Sequence, residues 1–455
     1  MTAIVIRGDA RALPLPDESV DLICTSPPYF GLRDYRDGEG SLTGQIGSEA
    51  TPQEWLAALL ECTAEWVRVL KPEGSIFVNL GDKYAGNHGT DRTRYDPKTI
   101  TGHAWRSVIP APDVQDGGRP KCLLGLPWRY ALACTDRLGL ILRAEIIWAK
   151  PNGLPESVTD RVRRSHEQVF HFTRQPRYYA AVDEIREPTT TADHHARYPQ
   201  ATYLDTPRRN ALRETRHNRS TFTTDGHPLG KLPGSVWNIP SQPLTVPPGL
   251  GVDHFAAYPS ELPRRIIAGW SPPGVCTGCG QGRRPVLERE VPANGQRYLV
   301  HGHGSSQSPR KFFNTNQDTA RAITGYACAC DGWEKRTCPV CDSPAGTVHG
   351  PGCPNADGRP LPPARPAVVL DPFGGTGTTA LAASVLGRTG ISVDLSHDYA
   401  RLARWRTRDP GERCRIIGAP RPPPVPDGQL TLDDLATWDD AQAPRGSWRA
   451  LNSLT

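Results

Sequence analysis

Two short stretches carry residues that could do chemistry. The first is Thr25-Ser26-Pro27-Pro28-Tyr29-Phe30, which follows the apolar run Val20–Cys24. Two prolines fix the backbone just where that strand must end, so the stretch forms a rigid elbow presenting a hydroxyl and two aromatic faces. The competing reading of the stretch taken alone is a proline-stiffened turn with core aromatics. The second is Asp371-Pro372-Phe373-Gly374-Gly375-Thr376-Gly377-Thr378, fed by the β-rich run Val368–Leu370 and followed by a helical run, Thr378–Leu386. Asp394 closes the next β-rich run. Glycines at such a turn let the backbone approach a ligand at a helix N-terminus, and an acid about 20 residues on can accept hydrogen bonds from ribose hydroxyls. The pattern points to a nucleoside-bearing cofactor. It is not Gly-x-Gly-x-x-Gly, and no Gly-Lys-Ser/Thr follows, so a phosphate-binding loop is excluded.

A third constellation is metallic. Seven of the 12 cysteines lie between Cys276 and Cys353. Cys276-x-x-Cys279 pairs with Cys328-x-Cys330, and Cys338-x-x-Cys341 with His349 and Cys353, each set supplying the four soft ligands of a tetrahedral structural zinc. The reading is one or two Zn2+ ions; buried thiols without metal fit poorly in a segment so polar and glycine-rich. Arg208, Arg209, Arg213, Arg216 and Arg219, with Arg161, Arg163 and Arg164 upstream, form a basic region that is either a solvated loop or an anion-binding surface.

These residues need a scaffold, and the chain is long enough for one. Its 455 residues are 37% hydrophobic and 22% charged, with a net charge of +5, which suits a globular protein and gives no global field for a polyanion. No apolar run approaches the roughly 20 residues that span a bilayer, and the N-terminus lacks a signal-peptide pattern, so no membrane role is expected and the cytoplasm is the default compartment. Strand signals at Ala3–Ile6, Val20–Thr25, Ser75–Leu80, Leu140–Trp148 and Gln168–Thr173 are interleaved with helical signals at Thr51–Leu70 and Leu126–Arg137. That alternation predicts an α/β fold with a largely parallel sheet covered on both faces. From Glu187 to Pro240 periodicity dissolves, as in a recognition element. His254–Trp270 becomes helical in its second half, and the stretch from Ala419 reads as a loosely docked tail.

Together, the TSPPY and DPFGGTGT motifs resemble those of the β-class DNA amino-methyltransferases, in which the catalytic motif precedes the cofactor motif. The segments GDARALPLPDESVDLI, VLKPEGSIFVNLGD, HEQVFHFT, SVWNIP and HFAAYPSELPRRII look like further blocks of that family in family order, so the resemblance covers most of the chain. It implies a circularly permuted, Rossmann-like fold and methyl transfer from S-adenosyl-L-methionine to an exocyclic amino group, N4 of cytosine or N6 of adenine, in double-stranded DNA. By resemblance, the Ser26 hydroxyl and the Pro27 carbonyl accept the amino hydrogens, Pro28 stiffens the loop and Tyr29 stacks on a flipped base. Likewise Phe373, Gly375, Gly377 and Thr378 surround the methionine part of the cofactor, and Asp371 and Gly374 belong to the same cofactor-binding loop. Asp394 reaches the cofactor's ribose and Asp9 its adenine. Adenine enzymes more often carry Asp or Asn where this chain has Ser26, which favours cytosine N4, with adenine N6 as the alternative.

The expected organisation is a catalytic half at 1–186, a target-recognition region at 187–240 and a cofactor half at 241–274 and 367–418. A zinc-binding insertion at 275–366, outside the minimal family pattern and without a part in methyl transfer, and a tail at 419–455 complete it. Such a methyltransferase leaves room for a restriction endonuclease as partner. An enzyme acting on RNA, protein or a small molecule, and a zinc-containing DNA-binding protein without catalysis, are the competing classes. The long recognition region and the zinc insertion speak against a small substrate, and the intact motifs against lost catalysis.

Overall fold

The computed structural model describes residues 2–31, 36–37, 40–41, 44–85, 121–153, 155–187, 229, 231–244, 246, 250, 257–290, 319–328 and 363–420. In chain order its elements are β1 (Ala3–Arg7), β2 (Val20–Thr25), the two-residue strands β3 (Arg36–Asp37) and β4 (Gly40–Ser41), α1 (Pro52–Val69), β5 (Leu70–Leu80) and α2 (Leu126–Leu138). There follow β6 (Ile141–Ala149), β7 (His166–Thr173), a 3₁₀ turn (Val182–Ile185), β8 (Val236–Asn238), α3 (Glu261–Trp270) and β9 (Val275–Cys276). The rest are β10 (Arg284–Glu290), β11 (Thr319–Ala327), β12 (Ala364–Arg365), β13 (Val368–Asp371), α4 (Thr378–Val385), β14 (Thr389–Asp394), α5 (His397–Arg408) and α6 (Pro410–Ile416). Two units result: Met1–Ala180 with Ser235–Gly282 and Pro362–Thr455, and Ala181–Gly234 with Arg283–Leu361.

The first unit is built on an eight-stranded sheet of order β1-β14-β13-β2-β5-β7-β6-β8. The strands from β1 to β5 run parallel, and β7 is antiparallel to both β5 and β6. The alternation of elements predicted a largely parallel sheet, and the sheet is mixed because β7 runs antiparallel to both of its neighbours. From β13 the chain moves outward to β14, whereas from β2 it moves the opposite way to β5. The crossover direction therefore reverses between β13 and β2, which pair through Val369–Leu22 and Leu370–Ile23. In open α/β sheets such a reversal leaves a crevice at the carboxyl ends of the strands, where ligands bind.

Both faces of the sheet are covered, so its central strands read as continuous apolar runs; all six residues of β2 are buried. On one face Trp55, Leu59 and Trp66 of α1 and Tyr130 and Cys134 of α2 pack with Phe170 and Phe172. On the other lie Leu262, Ile266 and Ile267 of α3 and Leu381, Ala382 and Ala383 of α4. Helix α1 is set at its start by a capping box, in which Thr51 Oγ1 accepts from Glu54 N and the Glu54 carboxylate accepts from Thr51 N.

The strand expected at Ser75–Leu80 begins earlier, at Leu70. The reason is a buried ion pair: Asp21 of β2 binds Lys71 Nζ and accepts from Val368 N at 2.8 Å, stitching the starts of β2, β5 and β13 together. Lys71-Pro72 thus ends the helix, as predicted, and also opens the strand.

In the second unit, β10 and β11 form an antiparallel ladder with two register shifts. Glu187 and Lys231 form an isolated antiparallel bridge, and Arg186 pairs with Asp183 at 2.6 Å. Tyr326 Oη hydrogen-bonds to Glu184. The arginines from Arg208 to Arg219 and the stretch from 421 onward lie outside the described residues. Among the described residues no helix is long and apolar enough to cross a membrane.

Candidate active site

The elbow sits at the carboxyl end of β2, and its two aromatic residues part company. Phe30 is buried in the core, 1% exposed, so it does not extend the aromatic face that Tyr29 offers. The Tyr29 ring packs against Gly81, where a Cβ would lie 2.7 Å from it. The Pro28 carbonyl is taken by the indole of buried Trp55, which donates at 3.0 Å and fastens the loop to α1. The Pro27 carbonyl accepts no hydrogen bond among the described residues.

Beneath the elbow lies a polar network that joins four elements. Tyr29 Oη donates to Glu167 Oε2 at 2.7 Å. Asn79, at the end of β5, directs Nδ2 toward Glu167 Oε2 at 2.7 Å, Tyr29 Oη at 2.9 Å and Ser26 Oγ at 3.2 Å. Ser26 Oγ lies 3.3 Å from Tyr29 Oη. The other Glu167 oxygen pairs with Lys150 Nζ, which sits 4.2 Å over the Trp148 ring. Burial alone would raise the Glu167 carboxyl, but the Lys150 charge and the hydrogen bonds from Lys150, Asn79 and Tyr29 outweigh it and hold the group below its ordinary value.

The glycine loop leaves β13 and is fixed by neighbouring strands. A Cβ on Gly374 would fall 1.9 Å from Ser392 Oγ, so only glycine allows this approach to β14. Asp394, at the end of β14, accepts from Gly375 N at 2.8 Å and from Ser396 N at 2.9 Å. Arg406, 3% exposed and paired with Glu412 at 2.8 Å, donates to Thr376 Oγ1 at 2.9 Å and to Thr378 Oγ1. Asp371 lies deeper: Thr379 Oγ1 and Tyr258 Oη donate to it at 2.7 and 3.0 Å, and Phe373 N at 3.2 Å. Burial raises its carboxyl against those hydrogen bonds.

One cavity of about 450 Å3 joins the two loops. Ser26, Pro27, Pro28 and Tyr29 line it, with Asn79, Lys150 and Glu167. So do Phe373, Gly374, Gly375, Thr378 and Asp394. Asp371 and Gly377 are not on its wall: the first supports the loop from below, and the second is the N-cap residue of α4. Asp9 is not on the wall either, although Gly8 and Ala10 are. Its carboxylate is bound by the Arg11 guanidinium, at 2.6 Å to Nη2, which holds it below its ordinary value. Cys24 is buried, as expected of a core residue, and burial pushes its thiol up.

Sequence reading missed Asn79, Lys150, Glu167 and Tyr258. The usable signal was the lack of a helical run between Ala149 and His166, which makes β6 and β7 antiparallel neighbours; a strand reversed against β5 brings its first residues, His166 and Glu167, to the same end as the last residues of β2 and β5.

Of the expected zinc ligands, Cys276 and Cys279 stand in a tight turn. Gly278 N donates to Cys276 Sγ at 3.4 Å and Gly280 N to Cys276 O at 2.9 Å, a knuckle that solvates one sulfur from the backbone. Cys328 is buried and belongs to the second unit. Cys330, Cys338, Cys341, His349 and Cys353 lie outside the described residues.

Comparison with known proteins adds the family. The model of the DNA methylase family N6_N4_Mtase matches residues 20–277 and 365–404. The type II methyltransferase M.SmaI of Serratia marcescens is 34% identical over 272 residues, covering 59% of this chain and 76% of its own length. M.Cfr9I of Citrobacter freundii is 35% identical over 275 residues, 60% of this chain and 74% of its own. Among solved structures, the PvuII DNA methyltransferase (cytosine-N4-specific) aligns with a TM-score of 0.46 and 15% identity, over 92% of this chain and 91% of that one.

Proposed function

The chain belongs to the N6_N4_Mtase family of DNA methylases, and from that premise we propose that it transfers a methyl group from S-adenosyl-L-methionine to the N4 amino group of cytosine in double-stranded DNA. The observation that carries this reading is the single cavity at the crossover reversal, which joins an acceptor-lined elbow to a glycine loop with an acid at its far end. A volume of about 450 Å3 is in the range of small-molecule sites, roughly 300–1,000 Å3.

The residues fit the cofactor. Asp394 closes the glycine loop through two backbone N–H groups and retains acceptor capacity for ribose hydroxyls. Phe373 and the Gly374–Gly375 backbone offer a flat, close wall. Arg406 donates to both threonine oxygens, so the Thr376 and Thr378 hydroxyl hydrogens are turned away from it. When bound, the cofactor supplies an electrophilic methyl on sulfur.

The protein's task is then positioning and electrostatics. The cytosine amino nitrogen is a poor nucleophile because its lone pair is conjugated into the ring. Ser26 Oγ and the Pro27 carbonyl accept its two hydrogens and draw them from the ring plane. Since that nitrogen lies within the duplex stack, the base must be turned out, and the Tyr29 face offsets part of the unstacking cost. Glu167 and Asn79 hold the Tyr29 hydroxyl, so the ring is already placed before the base arrives. Ser26, a neutral acceptor where a carboxylate would be the alternative, is the residue that favours cytosine N4 over adenine N6.

Residues 187–240 are the proposed target-recognition region. The Cys276–Cys279 knuckle fits half of a tetrahedral zinc site, with a structural role, and a restriction endonuclease is the companion that such an enzyme would protect DNA against. Methylation-sensitive sequencing and nucleoside analysis of DNA from cells expressing the chain test the reading. N4-methylcytosine at one recurring site is expected, and none with Ser26→Ala plus Tyr29→Ala. N6-methyladenine at that site would correct the base, and no modified base would overturn the function.

A further inference from the structure

Methylation of an amino group creates a proton that must leave, and the residue next to the nitrogen is poorly suited to keep it. A serine hydroxyl is not a base near neutral pH, whereas the methylated, positively charged nitrogen is a far stronger acid than any carboxylic acid. The cavity holds one carboxylate already wired to that serine. Ser26 Oγ lies 3.3 Å from Tyr29 Oη, and Tyr29 Oη donates to Glu167 Oε2 at 2.7 Å. Asn79 Nδ2 donates to both hydroxyl oxygens from the side, at 3.2 and 2.9 Å. The Tyr29 hydrogen points to Glu167, while the Ser26 hydrogen has two acceptors at equal distance, the Asn79 carbonyl and Tyr29 Oη, each 3.3 Å away, and joins the chain in the second. Lys150 grips the remaining carboxylate oxygen. The charged or titratable groups facing Glu167 are thus Lys150 and Tyr29, with Arg164 on the same cavity wall.

We propose that Glu167 is the final proton acceptor of the methyl transfer, reached from the target amino group through the Ser26 and Tyr29 hydroxyls. The inference rests on the reading given under Proposed function. The nitrogen lone pair forms the new N–C bond while the C–S bond breaks, its electrons remaining on sulfur. The surplus N–H proton passes to Ser26 Oγ as the Ser26 proton passes to Tyr29 Oη and the Tyr29 proton to Glu167 Oε2. The positive charge lost from sulfur is cancelled by the carboxylate, and Glu167 returns its proton to solvent between turnovers. Glu167 touches neither reacting atom; it acts through Tyr29.

The test is single-turnover methylation of fragmented, unmethylated genomic DNA, with cofactor affinity measured separately by titration. Glu167→Ala is expected to lose about 100-fold in rate, the lower end of a general-base contribution, with cofactor affinity within twofold. Added formate, but not chloride at equal ionic strength, is expected to restore at least a tenth of the lost rate. Tyr29→Phe, which keeps the ring, should be rate-limited to a similar degree and unresponsive to formate. A protonated-carboxyl infrared band should appear on mixing wild type with cofactor and DNA, and be missing in Glu167→Gln. A Glu167→Ala rate within threefold of wild type, a loss that formate leaves untouched, or no such band would overturn the relay. Wild type that methylates no DNA at all would instead defeat the function itself.

Discussion

The two loops that meet in the cavity stand at the ends of adjacent, paired strands and are built on opposite principles. The elbow after β2 works with side chains: Ser26, Tyr29, Asn79 and Glu167 present hydroxyl, amide and carboxylate groups whose hydrogen bonds order one another. The loop after β13 works with backbone, held by Asp394 against Gly375 N and admitted to its place by the missing side chain of Gly374. A site that must move a proton needs titratable groups; a site that must hold a ligand closely is better served by removing atoms. The difference predicts where each kind of substitution will hurt.

The largest effect should come from adding a single methyl to the backbone loop. Gly374→Ala places a carbon 1.9 Å from Ser392 Oγ, and overpacking of that kind is expected to weaken cofactor binding about 100-fold, measured by equilibrium titration. If the loop accommodates it without loss, the contrast between the loops collapses. Next, Asn79→Ala leaves three acceptors without their shared donor, and a buried unsatisfied group is expected to slow single-turnover transfer about 30-fold with cofactor affinity unchanged. Asp394→Asn puts an amide donor against backbone N–H groups, and about a tenfold loss of cofactor affinity with the transfer rate retained is expected.

A finer test uses the pH dependence of stability, because the two buried carboxyls differ in sign. Glu167 is held below its ordinary value, so its ionised form stabilises the fold above the unfolded carboxyl range, about pH 4.3, and that contribution is lost as pH falls through the lower folded value. Asp371 is raised, chiefly by burial, so its contribution is present below about pH 3.9 and lost as pH rises through its folded value. In denaturant titrations at neutral pH, Glu167→Gln should therefore destabilise the protein, and Asp371→Asn should be neutral or stabilising. The smallest effect is expected from metal removal: chelation should leave cofactor affinity within about twofold, since the Cys276–Cys279 knuckle serves neither loop.

Much of this contrast could be read from the chain. The prolines of the elbow and the glycines of the second loop are local signals, because each residue type is chosen by its own backbone. Apolar alternation likewise foretold the sheet. What stayed hidden depends on residues far apart: Tyr29 and Glu167 are 138 positions apart, and Lys71 extends β5 only because Asp21 waits beside it. Asp9 was assigned to the cofactor by motif, but its partner Arg11, two residues on, claims its carboxylate here. Position in a motif gives the location of an acid and not its current partner.

The seam between β2 and β13 has a consequence for the life of the chain on the ribosome. Asp21 and Val368, hydrogen-bonded across it, are 347 positions apart. The elbow is therefore synthesised first and waits, its neighbouring strand unmade, until the long stretch between the two has emerged. A chain interrupted anywhere in that interval carries the residues of one loop and none of the other, so synthesis that stops early yields a fragment without a complete cavity. The cavity can be complete only once the sheet has closed at its centre, where β13 meets β2.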